Sequence, residues 1–145
     1  MIGLFLIQVK MDYFSEAFDG FRPDRDRDAA LKFSLCMIAI DKRVEDLLQL
    51  IEVANNLGGV EGDPGGIIER RENGETIGYE KWPNSARFRA CVDTDGYSLL
   101  HPEFFASRQT FFRYIGALVK VYKIYHPEYA EVVGRIEGLI ATECG

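Results

Sequence analysis

The chain has 145 residues, 47% of them hydrophobic, and a formal net charge of −6 from 17 basic and 23 acidic side chains. That is enough chain for a single core but not for a second domain with a linker, and the composition excludes a disordered polymer. The acidic excess lies in residues 41–80, with ten acids against four bases; this disfavours nucleic acid there and suits either a basic protein partner or simple solubility.

The uncharged apolar stretches MIGLFLIQV and FSLCMIAI are far shorter than the roughly 20 residues of a spanning helix. The first also lacks the basic flank and cleavage site of a signal peptide. The expectation is a cytoplasmic protein with no membrane partner. Cys36, Cys91 and Cys144 are odd in number and widely spaced, which suits neither a disulfide framework nor a zinc knuckle. Cys36 and Cys91 sit in apolar strings and read as core thiols, with Cys144 mobile near the end.

In chain order, residues 3–14, GLFLIQVKMDYF, read as a strand apolar on both faces, hence central in a sheet. RPDRDRD, Arg22 to Asp28, reads as an exposed, self-paired connection to a second strand at 31–40, LKFSLCMIAI. Alternation of Phe33, Leu35, Met37 and Ala39 favours that strand, although Leu31, Leu35 and Ile38 also suit a helix. Asp41 resembles an N-cap, whose carboxylate accepts from the free N–H groups of the next turn. The spacing of Val44, Leu47, Leu48, Ile51 and Ala54 then predicts an amphipathic helix over 42–56, ended by Gly58-Gly59.

GGVEGDPGG, residues 58–66, has five glycines and reads as a loop. Residues 67–82 read as a hairpin turning at Asn73-Gly74, a pair suited to positive φ. Residues 86–94 read as a further strand, with Phe88, Ala90 and Val92 on one face and Arg87, Arg89 and Cys91 on the other. The last third reads as two helices. Each begins with His-Pro-Glu, at 101–103 and 126–128, because proline suits the first helical position and glutamate the positive end of the dipole. Phe111, Ile115, Leu118, Tyr122 and Tyr125 mark the buried stripe of the first; Tyr129, Val132, Val133, Ile136 and Ile140 mark that of the second. The expected fold class is α+β: a mainly antiparallel sheet of about five strands, with one central and two C-terminal helices packed on it, in a single domain spanning 1–145.

Chemistry-bearing patterns are few. Asp24, Asp26 and Asp28 resemble the opening of a calcium loop. That loop needs glycine at its sixth position and glutamate at its twelfth, where this chain has Ala29 and Leu35, so no metal site is expected. RACVDTDGYSL, residues 89–99, resembles the first motif of haloacid-dehalogenase-like phosphatases, which would make Asp93 the nucleophile and Asp95 the general acid. The strand before it is amphipathic rather than wholly apolar, Tyr97 departs from the pattern, and no later acidic pair is found for magnesium. The alternative is a strand end turning through Asp95-Gly96. His101 and His126, the two histidines, each precede a proline and suit turn or capping roles. The glycine-rich stretch lacks the Lys-Ser/Thr of a phosphate loop and follows no strand, so no cofactor is expected.

Recognition remains. Tyr79, Trp82 and Tyr97 lie beside the acidic third, and aromatics with nearby charge are frequent interface anchors; packing under the helices is the alternative for Tyr79 and Trp82. In size, charge and layout the chain resembles the immunity proteins of bacterial toxin systems, which bind and block a cognate toxin, often a basic nuclease. The resemblance implies electrostatic docking onto a basic toxin rather than catalysis. Candidate contacts are Glu61, Asp63, Glu69, Glu72, Glu75, Tyr79, Glu80 and Trp82. The competing expectations are a small enzyme or ligand-binding domain using Asp93, Asp95 and His101, and an oligomeric accessory protein.

Overall fold

The computed structural model describes residues 13–52, 59–62, 65–71, 76–95 and 97–144. A helical segment at 13–18 (α1) leads through turns to α2 (Ala29–Ile40) and α3 (Val44–Ile51). Strands β1 (Gly59–Gly62), β2 (Gly66–Arg70), β3 (Phe88–Val92) and β4 (Glu103–Ala106) follow. Then come α4 (Arg108–Tyr125), a 3-10 turn at Pro127–Tyr129 and α5 (Ala130–Cys144). The four strands make one sheet in the order β1-β2-β3-β4, and every pairing is antiparallel. The α+β class holds, with four strands rather than five and five helices rather than three among the described residues.

The largest departure from the sequence reading is at 31–40, which is helix, not strand. Ten of the twelve residues of α2 are buried, Ser34 and Cys36 among them. A helix packed on all sides carries apolar residues all round, so its periodicity is blurred and a short stretch of it can imitate strand alternation. α2 packs on all four strands and also touches α3 and α4. It is the middle of the core.

Asp41 is the second correction: it ends α2 rather than starting α3. The N–H of Lys42 donates to Ala39 O and that of Arg43 to Ile38 O, at 3.0 and 2.9 Å. Lys42 has φ +58°. This is a Schellman closure, in which a left-handed residue turns the chain and satisfies the last carbonyls. α3 then starts after Arg43, whose Nε donates to Asp46 Oδ2 at 2.8 Å. Val44, Leu47, Leu48 and Ile51 are buried as their spacing requires; Ala54 and Gly58 lie outside the described residues.

The described residues of GGVEGDPGG are not a loop: 59–62 form β1 and 66 starts β2, with Val60 opposite Ile68 and Gly62 opposite Gly66. Gly65 turns at φ +109°, and its carbonyl accepts from Asp93 N at 2.9 Å. Gly66 is needed for a different reason: a Cβ there would lie 2.8 Å from Ser34 Oγ, so the missing side chain lets α2 approach the sheet. Of the expected 67–82 hairpin, only the first arm is a strand; 76–82 is a series of turns, and Asn73-Gly74 lies outside the described residues. The expected strand at 3–14 lies outside them as far as residue 12, and Tyr13 and Phe14 are helical.

The 86–94 strand is present as β3, with alternating burial. Its inward row runs Val60, Ile68, Ala90 and Phe104 across the sheet. Below it, Phe88 stacks on Phe111 of α4 with ring centroids 3.8 Å apart. The first His-Pro-Glu does not start a helix, since Glu103–Ala106 is β4. α4 starts after Ser107, whose hydroxyl accepts from Thr110 N at 3.1 Å, a hydroxyl N-cap one turn before the apolar stripe. In that stripe Phe111, Ile115, Leu118 and Tyr122 are buried, but Tyr125 at the helix end is 43% exposed. The second His-Pro-Glu does open a helical turn. Among the described residues no helix is long and apolar enough to cross a membrane.

Candidate outer-sheet interface

Helices α2, α3 and α4 all meet the sheet, and α2 takes its inward rows. Strand alternation sends every second residue the other way. The outward rows, read through the register, are Gly59, Glu69, Arg89, Phe105 and Glu61, Ile67, Cys91, Glu103. All eight are exposed or half-exposed. Cys91 belongs here and is therefore not the core thiol expected; Cys36 is fully buried. Burial raises the Cys36 thiol well above its ordinary pKa, with Lys32 opposing.

Arg89 sits between two carboxylates. Its Nε donates to Glu103 Oε2 at 2.5 Å and its Nη1 to Glu69 Oε1 at 3.0 Å. Partial burial works against the charge, but the Glu103 hydrogen bond and the surrounding negative groups outweigh it, and the guanidinium pKa is raised. The triad carries one net negative charge.

The 76–82 turns fold over the β4 end of this face. Trp82 stands edge-on to Phe105, with centroids 5.3 Å apart, and edge-on to Tyr79 at 5.0 Å. Arg71 lies 5.5 Å over the Tyr79 ring, and the Tyr79 hydroxyl approaches Arg70 O at 3.4 Å. The result is a groove of about 480 Å³, walled by Trp82 and Phe105 and floored by Arg89 and Glu103, with Glu80 and Lys81 on its rim. Gly78, at φ +88°, turns the chain beside it.

At the other end of the sheet, Asp41, Glu61 and Asp93 line an open cleft of about 430 Å³ together with Arg43 and Ile67. Arg43 is already committed, to Asp46 and to the Glu61 carbonyl. Among the described residues no group of three or more His, Cys, Asp or Glu side chains could hold a metal ion.

Of the candidate contacts, Glu61, Glu69, Glu80, Tyr79 and Trp82 therefore lie on or beside one surface. Asp63, Glu72 and Glu75 lie outside the described residues. Tyr97 turns inward, 4.7 Å from Phe33 by ring centroids, and is no interface anchor. Asp93 Oδ1 accepts from Asp95 N at 2.9 Å, the self-capping turn that aspartate makes at a strand end. The cleft that Asp93 lines includes neither Asp95 nor His101. Sequence reasoning missed Phe105 and Glu103 because it assigned them to a helix; the usable signal was Ser107, a better N-cap than His101.

RPDRDRD joins α1 to α2 rather than two strands. Its acids do not pair with its own arginine side chains. Lys32 reaches Asp26 at 3.2 Å and Asp28 at 3.5 Å, and the Tyr114 hydroxyl donates to Asp28. Burial opposes ionisation of Asp26, but hydrogen bonds from Arg22 N and Lys32 prevail and lower its pKa.

No protein-family model matches the chain, and neither the curated proteins nor the solved structures contain a significant match to it.

Proposed function

We propose that the protein is a stoichiometric binding protein of the immunity type, acting in the cytoplasm, that docks its outer sheet face onto a basic protein toxin and covers the toxin's substrate site. One observation carries this reading. The sheet face that α2 leaves bare presents a groove walled by Trp82 and Phe105 and lined by Glu80 and Glu103, with Glu69 beside Arg89 and Glu61 at the far edge strand. Interface cores are enriched in aromatics, and complementary charge speeds and orients docking. Arg71, Lys81, Arg87 and Arg89 also lie on or beside this face, but Arg89 is held between Glu69 and Glu103, and Glu61 and Glu80 are the exposed acids offered to a basic partner. A reaction at Asp93 gains no comparable support, because its carboxylate is used within its own turn.

The test is capture from the native host with tagged protein at low and raised salt. A single basic partner in 1:1 ratio, released by salt and inhibited when bound, is expected. Glu61→Lys and Glu80→Lys, both at exposed positions, should each weaken its capture. Recovery of the protein alone, or capture indifferent to salt and to both reversals, would sink the reading.

A further inference from the structure

We propose that the Trp82–Phe105 groove takes an arginine side chain presented by the partner. This rests on the docking reading above and names the group recognised. The groove is lined by the acceptors Glu80 and Glu103 and by the donors Lys81, Trp82 and Arg89, of which Arg89 is already bonded to carboxylates. Arg89 engages one oxygen of Glu69 and one of Glu103, so the second oxygen of each carboxylate keeps its acceptor capacity. Glu80 is exposed and makes no ion pair among the described residues. The walls are aromatic and half-exposed. An incoming group must therefore carry positive charge, donate several hydrogen bonds and lie flat against a ring. A guanidinium does all three, whereas an ammonium is a compact point charge that does not stack. A carboxylate or phosphate would meet Glu80, Glu103 and Glu69, with Lys81 to attract it and Arg89 already engaged by Glu69 and Glu103. Lys81 is the one group on the rim that opposes a cation, so its removal should strengthen binding.

Trp82 is the single tryptophan of the chain, so its emission reports on this groove. The experiment titrates the full chain with capped tripeptides Gly-Xaa-Gly, where Xaa is arginine, lysine or citrulline, the last being a neutral isostere of arginine. A saturable emission change is expected for arginine, weaker for lysine and absent for citrulline. Glu80→Gln should weaken the arginine peptide about three- to fivefold, and Lys81→Ala should tighten it. Citrulline binding as well as arginine, or Glu80→Gln without effect, overturns the arginine assignment while the docking reading stands. No emission change with any peptide overturns it as well. The docking reading itself is judged by the salt-dependent capture of whole partner, which needs no peptide to bind.

Discussion

Gly66→Ala tests how closely the central helix sits on the sheet. The added Cβ would lie 2.8 Å from Ser34 Oγ and 3.4 Å from Ser34 Cα and Cβ. Ser34 is 2% exposed and its hydroxyl has no hydrogen-bond partner among the described residues. Overpacking of this kind costs about 1–3 kcal/mol. Gly66 does not have positive φ, so alanine also gains about 0.4–1 kcal/mol by restricting the unfolded chain. The net expectation is a loss of about 1–2 kcal/mol, or about 3–6 °C in melting temperature. Ser34→Ala alone removes an unsatisfied buried hydroxyl and should be neutral or stabilising by up to about 1 kcal/mol. In the double variant the 2.8 Å contact is gone and only the 3.4 Å contacts remain. Alanine at 66 should then be nearly tolerated, giving a coupling of about 1–2 kcal/mol. The assay is urea unfolding followed by Trp82 fluorescence and far-UV circular dichroism, with unchanged m-values as the check that only stability moved. Additive variants, or a neutral Gly66→Ala, would refute the argument that the missing side chain sets the helix-to-sheet distance.

Other perturbations follow from single contacts. Lys42→Gly should stabilise by about 1 kcal/mol, because Lys42 holds φ +58° at the end of α2 where glycine pays no steric cost; a thermal melt decides it. Arg70 is 7% exposed and its Nη1 donates to Leu50 O and Glu52 O at the end of α3. Arg70→Met should cost about 2–3 kcal/mol in chemical denaturation, by leaving those carbonyls without their charged donor. Phe111→Ala, which deletes a fully buried ring stacked on Phe88, should cost about 3–5 kcal/mol and leave a loosened or unfolded chain by circular dichroism. Burial raises the pKa of Tyr13, Tyr114 and Tyr122, the last to about 12, with lesser contributions from neighbouring charges. A raised folded-state value contributes stability that is intact below the ordinary tyrosine pKa of about 10 and is lost as pH climbs towards the folded value. Denaturation should therefore become easier above about pH 10, with tyrosinate absorbance rising together with unfolding. Asp26 has the opposite sign: its lowered pKa gives stability present above the ordinary aspartate value and lost as pH falls through the folded one. Asp26→Asn should flatten part of the acid limb of the stability profile.

Legibility in the sequence followed the strength of the local pattern. β3 and α3 have one buried and one exposed face, so period-two and period-3.6 spacing placed Phe88, Ala90 and Val92, and Val44, Leu47 and Ile51, on the correct sides. α2 has no such contrast, because its surroundings are protein on almost every side, and burial of that extent depends on partners distant in the chain. Asp41 was misread for a related reason. An aspartate before an amphipathic run looks like a helix start, but the Schellman bonds that give it its place come from α2. The glycine-rich stretch hid a hairpin because Gly66 reflects contact with Ser34, not chain flexibility. Of the candidate interface, Glu61, Glu69, Tyr79, Glu80 and Trp82 could be read from acid density and aromatic content. Phe105 and Glu103 could not, because His-Pro-Glu at 101–103 has the pattern of a helix start while 103–106 is a strand.

The helical state of 31–40 bears on function as well as fold. Had 31–40 been a strand, a fifth element would have extended the sheet and the C-terminal helices would have covered it. As a helix, α2 fills the sheet's inner side and sits against α3 and α4. The inner rows are thereby filled with apolar residues apart from Arg70, which binds the end of α3, and the outer rows are free to hold Glu61, Glu69, Arg89, Cys91, Glu103 and Phe105. Arg89 and its two carboxylates contribute little stability at 25–44% side-chain exposure. Trp82 and Phe105 meet edge to face while still half-exposed. A face held only by packing needs would carry small polar groups outward; this one carries an aromatic wall and fixed charge. That asymmetry between the two sides of a single sheet is the strongest physical reason to look for a partner on the outer one.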